Sequence, residues 1–151
     1  MSCFLTEGRR ALLAALQVDP TLGATVKTWY DFGPGIQKRY DILPAWCPLL
    51  SLVPAELDED QLANSAAFIH QDLNLGIATS GPDAGPCEEL VAAALGVLDE
   101  SNELCLGLAA QGLADLNPVA LQWRAMPTEE SPRLRWEAQI TVRIRWVRRN
   151  R

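Results

Sequence analysis

The chain contains one histidine, His70, and histidine is the side chain best suited to acid–base chemistry near neutral pH. A period-two alternation from Ala67 to Thr79 predicts a strand that places His70 on its polar side, with Asp72 as its neighbour there. Such a pair could exchange protons with a substrate. Because the sequence has no second histidine and no Gly-x-Ser-x-Gly elbow, we interpret His70 as structural and predict that the protein is not an enzyme.

Four carboxylates lie close together in one segment: Glu56, Asp58, Glu59 and Asp60. Carboxylate oxygens suit calcium or magnesium, but these residues lack the ligand and glycine spacing of a calcium-binding loop. We interpret them as a solvated acidic turn. The four cysteines lie at least 18 residues apart, so they do not form the close pairs of zinc or redox motifs. We expect reduced thiols, and two disulfides are the alternative.

Two glycine-rich stretches, 33–35 and 81–85, lack both the lysine of a phosphate loop and the dinucleotide fingerprint. We interpret both as turns. The sequence therefore predicts no catalytic, cofactor-binding or metal-binding residue and no cofactor.

The arginines near the C-terminus are the strongest candidates for recognition. Alternation from Leu134 to Trp146 places Arg135, Arg143 and Arg145 on one face of a strand, and a guanidinium can bind a carboxylate or phosphate through two hydrogen bonds. Nucleic-acid modules would add exposed aromatic side chains beside the basic groups, whereas the tryptophans of this strand fall on its apolar face. The pattern favours protein–protein contact.

Charge is distributed unevenly along the chain. Residues 133–151 contain seven basic residues and one acid, a charge of +6, whereas the preceding residues contain six basic residues and eighteen acids, a charge of −12. Opposite patches of this kind can attract another copy of the chain or a partner, although a solvated basic tail is the simpler alternative. The candidate interface residues are Arg135, Arg143, Arg145, Glu88, Glu89, Asp99 and Glu100. We expect Arg143→Glu combined with Arg145→Glu to weaken assembly without unfolding the monomer.

Two elements come first in the chain. The sequence predicts a helix from Phe4 to Leu16, which cannot continue past Asp19-Pro20, and then a strand within Val26–Phe32. Residues 36–40 form either the second arm of a hairpin or part of a long loop. The apolar segment Leu49–Val53 predicts a short buried strand between prolines.

A second helix follows Pro86 and carries an apolar stripe from Leu90 to Leu98. The segment Leu104–Leu116 fits a strand or a loose helix, and we leave this choice open. Residues Val119–Trp123 alternate between apolar and polar, and a polar connection joins them to the strand that carries the arginines. This pattern predicts a long C-terminal hairpin. We expect an α+β fold in which a mostly antiparallel or mixed sheet packs against two main helices.

The length of 151 residues and the 48% hydrophobic content suit a single domain, 1–151, with a real core. The N-terminal residues lack the pattern of a secretion signal, and the longest weakly charged stretches are shorter than the ~20 residues of a membrane-spanning helix. We expect no membrane partner.

This order of elements, ending in the sequence WEAQITVRIRW at 136–146, resembles the small minor structural proteins of tailed bacteriophages, in particular tail terminator (tail completion) and head–tail neck proteins. The resemblance covers most of the chain as a pattern. It implies a homo-oligomeric ring, commonly a hexamer, that caps the tail tube and joins it to the head-side connector, without a cofactor or catalysis. It further implies a place in the tail or neck of the virion, assembly in the bacterial host cytoplasm, and a lumen through which genome DNA passes without specific binding.

Two other classes of protein remain open at this point. A small cytosolic enzyme or ligand-binding domain would need a pocket beside His70. An acidic adaptor protein would use its negative surface to cover a basic partner.

Overall fold

A computed structural model describes residues 4–31, 46–62, 66–100, 107–127 and 134–149. Five strands form one mixed sheet, and they are β1 (Thr28–Asp31), β2 (Leu49–Leu62), β3 (Ala66–Gly81), β4 (Leu113–Pro127) and β5 (Leu134–Arg149). Their order across the sheet is β1-β2-β3-β5-β4. The β1–β2 pair is parallel and every other pair is antiparallel, so the structure confirms the expected α+β fold and its C-terminal hairpin.

Three helices accompany the sheet: α1 (Phe4–Val18), α2 (Pro20–Thr25) and α3 (Gly85–Asp99). The first and third confirm the predicted helices. The short α2 was not predicted. It begins because a carboxylate oxygen of Asp19 accepts hydrogen bonds from the backbone N–H groups of Thr21 and Leu22, at 3.1 and 3.0 Å, and because proline fits the first turn of a helix.

The second half of β2 differs from the sequence-based expectation. The acidic segment that contains Glu56, Asp58, Glu59 and Asp60 is not a turn but continues the strand to Leu62. Antiparallel pairing with β3, from Glu56 opposite Asp72 to Leu62 opposite Ala66, satisfies its backbone. This ladder outweighs the low strand propensity of acidic residues, and the strand reaches 14 residues rather than five.

One side of the sheet, here called the helix face, packs against α1, α2 and α3 in the main core. Its fully buried side chains include Leu75 of β3, Ile140 and Trp146 of β5, Leu16 of α1 and Leu90 of α3. These strand residues are the apolar positions of the predicted alternation, so the structure confirms which side of β3 and β5 is core.

The other side of the sheet is called the arginine face, because it carries the alternate residues of β5, including Arg143 and Arg145. A small cluster covers one end of this face, where Leu49 and Ala78 pack with Tyr30, Trp46 and Cys47. The core therefore lies almost wholly on the helix face.

Some predicted segments lie outside the described residues, namely 32–45 with its glycine turn, 101–106, and the hairpin connection 128–133. Within the segment Leu104–Leu116, which by sequence fits a strand or a loose helix, Ala109–Gln111 forms a 3₁₀ turn and β4 begins at Leu113. The described helices include none that is both long and apolar enough to cross a membrane.

Candidate assembly surface

The pairing of β3 with β5 and of β5 with β4 builds the arginine face. In the antiparallel register, Asp72 lies opposite Arg143, and His70 lies opposite Arg145. On the far side of β5, Asp115 of β4 lies opposite Arg145. Because directly opposed residues point to the same side of a sheet, charged side chains of three strands meet on this face.

Arg143 and Asp72 form a bidentate ion pair on the arginine face. The Nε of Arg143 donates to one carboxylate oxygen at 2.9 Å, and its Nη2 donates to the other at 3.1 Å. The Asp72 side chain is only 9% exposed, whereas that of Arg143 is 42% exposed. The guanidinium thus compensates a buried carboxylate, while part of its surface remains exposed to solvent.

Arg145 contacts both neighbouring strands. It forms an ion pair with Asp115 of β4, and its guanidinium carbon lies 4.4 Å from the centre of the Phe68 ring on β3. The ion pair and the cation–π contact hold the side chain over β5, while 40% of it remains exposed. A fixed, half-exposed guanidinium loses less conformational entropy when it binds a partner than a free one does.

Arg135 differs from the other two candidate arginines. Only 6% of it is exposed, and its Nε lies 3.5 Å from a carboxylate oxygen of Glu137 on the same strand. Cys47 lies near both residues, and burial raises the pKa of its thiol, with a smaller opposing effect from Arg135. In the monomer Arg135 therefore belongs to the covered end of the arginine face.

The predicted acidic partners lie in the helix layer. Glu88, Glu89, Asp99 and Glu100 are all exposed, the first pair near the start of α3 and the second pair at its end. The sequence of α3 contains no basic residue. The structure therefore places the exposed arginines and these acids on opposite layers of the molecule and does not bring them together within one chain.

His70 and Asp72 were considered above as a possible acid–base pair, and the arginine face shows what surrounds them. His70 and Asp72 are neighbours on the arginine face, as the alternation predicts, and both oxygens of Asp72 accept hydrogen bonds from Arg143. Within the described ranges, no group of three or more histidine, cysteine, aspartate or glutamate side chains is arranged to hold a metal ion.

Sequence reasoning missed the internal carboxylate partners of the arginines. The alternation identifies Asp72 only as a neighbour of His70, and Asp115 lies in the segment Leu104–Leu116, whose structure the sequence does not determine. The alternation indicates which residues share a face of a strand, but it does not give the register between strands. The paired carboxylates could be identified only after β3, β5 and β4 were aligned.

No protein-family model matches the chain, and no curated protein matches it. Among solved structures, it is similar to a chain in the virion of a native gene transfer agent particle, with a TM-score of 0.52 and 16% sequence identity. The match covers 91% of this chain and 93% of that chain. At this identity the likeness shows a shared fold, and it extends over nearly the whole length of both chains.

Proposed function

We propose that this chain is a structural component of a phage-like virion, in which copies of it assemble into a ring at the head–tail junction. The ring would terminate the tail tube and join it to the neck. The observation that carries this proposal is the fold shared with a virion chain across nine-tenths of both proteins. The role needs no cofactor and no catalysis.

The charges of the chain suggest how neighbouring copies would meet. A ring requires two different surfaces on each subunit, because each copy contacts the next in a head-to-tail manner. The half-exposed Arg143 and Arg145 form one surface, and the acidic residues of α3 form a second one on the opposite layer. We propose that the arginine face of one subunit binds the acidic side of α3 in the next, in a hexameric ring.

A variant on α3 tests this contact without disturbing the internal ion pairs of the arginine face. Glu88→Gln with Glu89→Gln removes two exposed negative charges and should raise the protein concentration needed for ring formation. The matched control is Gln17→Lys with Ala24→Lys, which changes the net charge equally at exposed positions of α1 and α2. Light scattering coupled to size exclusion, with negative-stain images, gives the readout. Equal assembly of both variants would reject the contact.

A further inference from the structure

The two edges of the sheet differ in chemistry. In the described part of the chain, β4 pairs only with β5, so its other edge is open. Its middle presents three large apolar residues: Val119 is 49% exposed, Leu121 42% and Trp123 46%. Open, apolar edge strands favour pairing with another strand.

The opposite edge carries features that resist such pairing. Beyond the four residues of β1, the outer side of β2 contains Pro54 and then the acidic run 56–60. Proline removes a backbone donor, and two acidic strands repel one another. On β4, Pro118 removes one donor, but residues 119–126 contain neither proline nor an acid. Edge chemistry therefore favours association at β4.

The register of β4 on β5 shows how two copies of β4 could match. Leu116 and Trp123 oppose Ile144 and Ala138 and thus share the helix face. Asp115 and Arg124 occupy the positions opposite Arg145 and Glu137, two residues of the arginine face. Because of the register shift between Pro118 and Ala120, Asp115 and Arg124 both occupy register positions opposite residues of the arginine face, although nine positions separate them.

We propose that β4 pairs with β4 of a second copy, antiparallel about a two-fold axis. One register places Asp115 opposite Arg124 of the other copy and, by symmetry, Arg124 opposite Asp115. It also places the half-exposed Trp123 on the helix face opposite Leu116 of the other copy, which is buried in its own chain. In this register opposite charges face each other, and apolar residues face each other. This complementarity favours a second copy of the chain as the partner that pairs with β4.

The dimer does not rest on the proposed ring. A two-fold contact joins identical surfaces and closes at two copies, whereas the ring contact joins two different surfaces. The Asp115 carboxylate pairs with Arg145 within its own chain and is 35% exposed, so it retains room for a guanidinium of the second copy.

Sedimentation of the purified full chain across concentration tests the pairing. Trp123→Lys should raise the dimer dissociation constant at least ~10-fold, because it places a charge in the apolar part of the contact. Val18→Lys is the matched control, since Val18 is 80% exposed on α1, and it should dimerise like the parent chain. A parent chain that forms no dimer, or equal dimerisation of the Trp123→Lys variant, would overturn the proposal.

Cysteine cross-linking tests the register itself. The proposed alignment places Asn117 opposite Gln122 of the second copy, while two Asn117 residues would lie five positions apart. A mixture of Asn117→Cys and Gln122→Cys chains should therefore form more disulfide-linked dimer under mild oxidation than either variant alone or the parent chain. Cross-linking of the Asn117→Cys chain with itself, without cross-linking in the mixture, would refute this register.

Discussion

Arg143 donates two hydrogen bonds, from Nε and Nη2, to the two carboxylate oxygens of Asp72 on the neighbouring strand. The pair fixes the register of β3 and β5 in the centre of the sheet and compensates a carboxylate that is almost buried. The same arginine is a candidate for contact with a neighbouring subunit. Variants of Arg143 are therefore expected to change the stability of the fold as well as any contact with a neighbouring subunit.

The Arg143→Glu substitution should destabilise the monomer by about 2 kcal/mol, because it removes charge-assisted hydrogen bonds and places a second carboxylate beside Asp72. This differs from the expectation that reversing Arg143 and Arg145 would leave the monomer intact. Urea unfolding of the monomer measures the effect. Arg143→Gln combined with Asp72→Asn should cost less than the sum of the two single variants, and strict additivity would contradict the pairing.

Gly8→Ala should destabilise the chain by about 1–3 kcal/mol, because a Cβ atom at this position would lie 2.5 Å from a ring carbon of Trp146. The buried indole cannot move away without disturbing the core. Gly96→Ala is the control, since no atom lies within 4 Å of its added Cβ and the residue is exposed in the interior of α3. That change should stabilise the chain by about 0.5–1 kcal/mol. Thermal unfolding should show a lower melting temperature than that of the parent chain for Gly8→Ala and a higher one for Gly96→Ala.

Trp146→Phe should destabilise the chain through a lost hydrogen bond as well as lost packing. The indole N–H donates to the side-chain oxygen of Gln71 at 2.9 Å, and the amide of Gln71 donates to the carbonyl of Leu5 at 3.1 Å. Removal of the indole N–H leaves a buried acceptor unsatisfied, at a cost of about 1–3 kcal/mol. Chemical denaturation of Trp146→Phe, Gln71→Leu and the double variant should show a smaller loss in the double variant than the two single losses combined.

Stability should fall as the pH rises from 9 towards 11, in part because of Cys87. Burial is the main cause that raises the pKa of this thiol from 9.0 to about 11. The folded chain therefore keeps the proton in a range where the unfolded chain loses it, and proton release favours the unfolded state. Urea unfolding at pH 8 and pH 10.5 should show a smaller pH-dependent loss for Cys87→Ala than for the parent chain. An equal pH-dependent loss of stability in the Cys87→Ala variant and the parent chain would show that groups other than Cys87 cause it.

The sequence alone predicts the parts of the fold that local periodicity determines. Period-two alternation identifies the core side of β3 and β5, and the apolar stripe from Leu90 to Leu98 identifies α3. The second half of β2 could not be predicted in this way, since its acidic residues favour a turn locally. Its strand depends on pairing with residues 66–72 of β3. Long-range pairing of this kind leaves little trace in local composition.

The candidate assembly surface likewise could be predicted only in part from local sequence patterns. Alternation predicts that Arg143 and Arg145 share a face, and the structure agrees. Their carboxylate partners, Asp72 and Asp115, depend on the register between strands, which a single sequence does not give. Arg135 is buried and lies near Cys47, and alternation within one strand does not predict this proximity between segments almost 90 residues apart.

The mass of the purified full chain in solution tests the proposed ring most directly. Light scattering coupled to size exclusion, at low and moderate salt, should show a species near six chain masses of 16.6 kDa at high concentration, or near twelve where two rings also pair through β4, and negative stain should show rings. More salt should shift this species towards smaller ones, since screening weakens contacts between exposed charges. A species that never exceeds two chain masses at any concentration or salt, with no rings in the images, would contradict the ring.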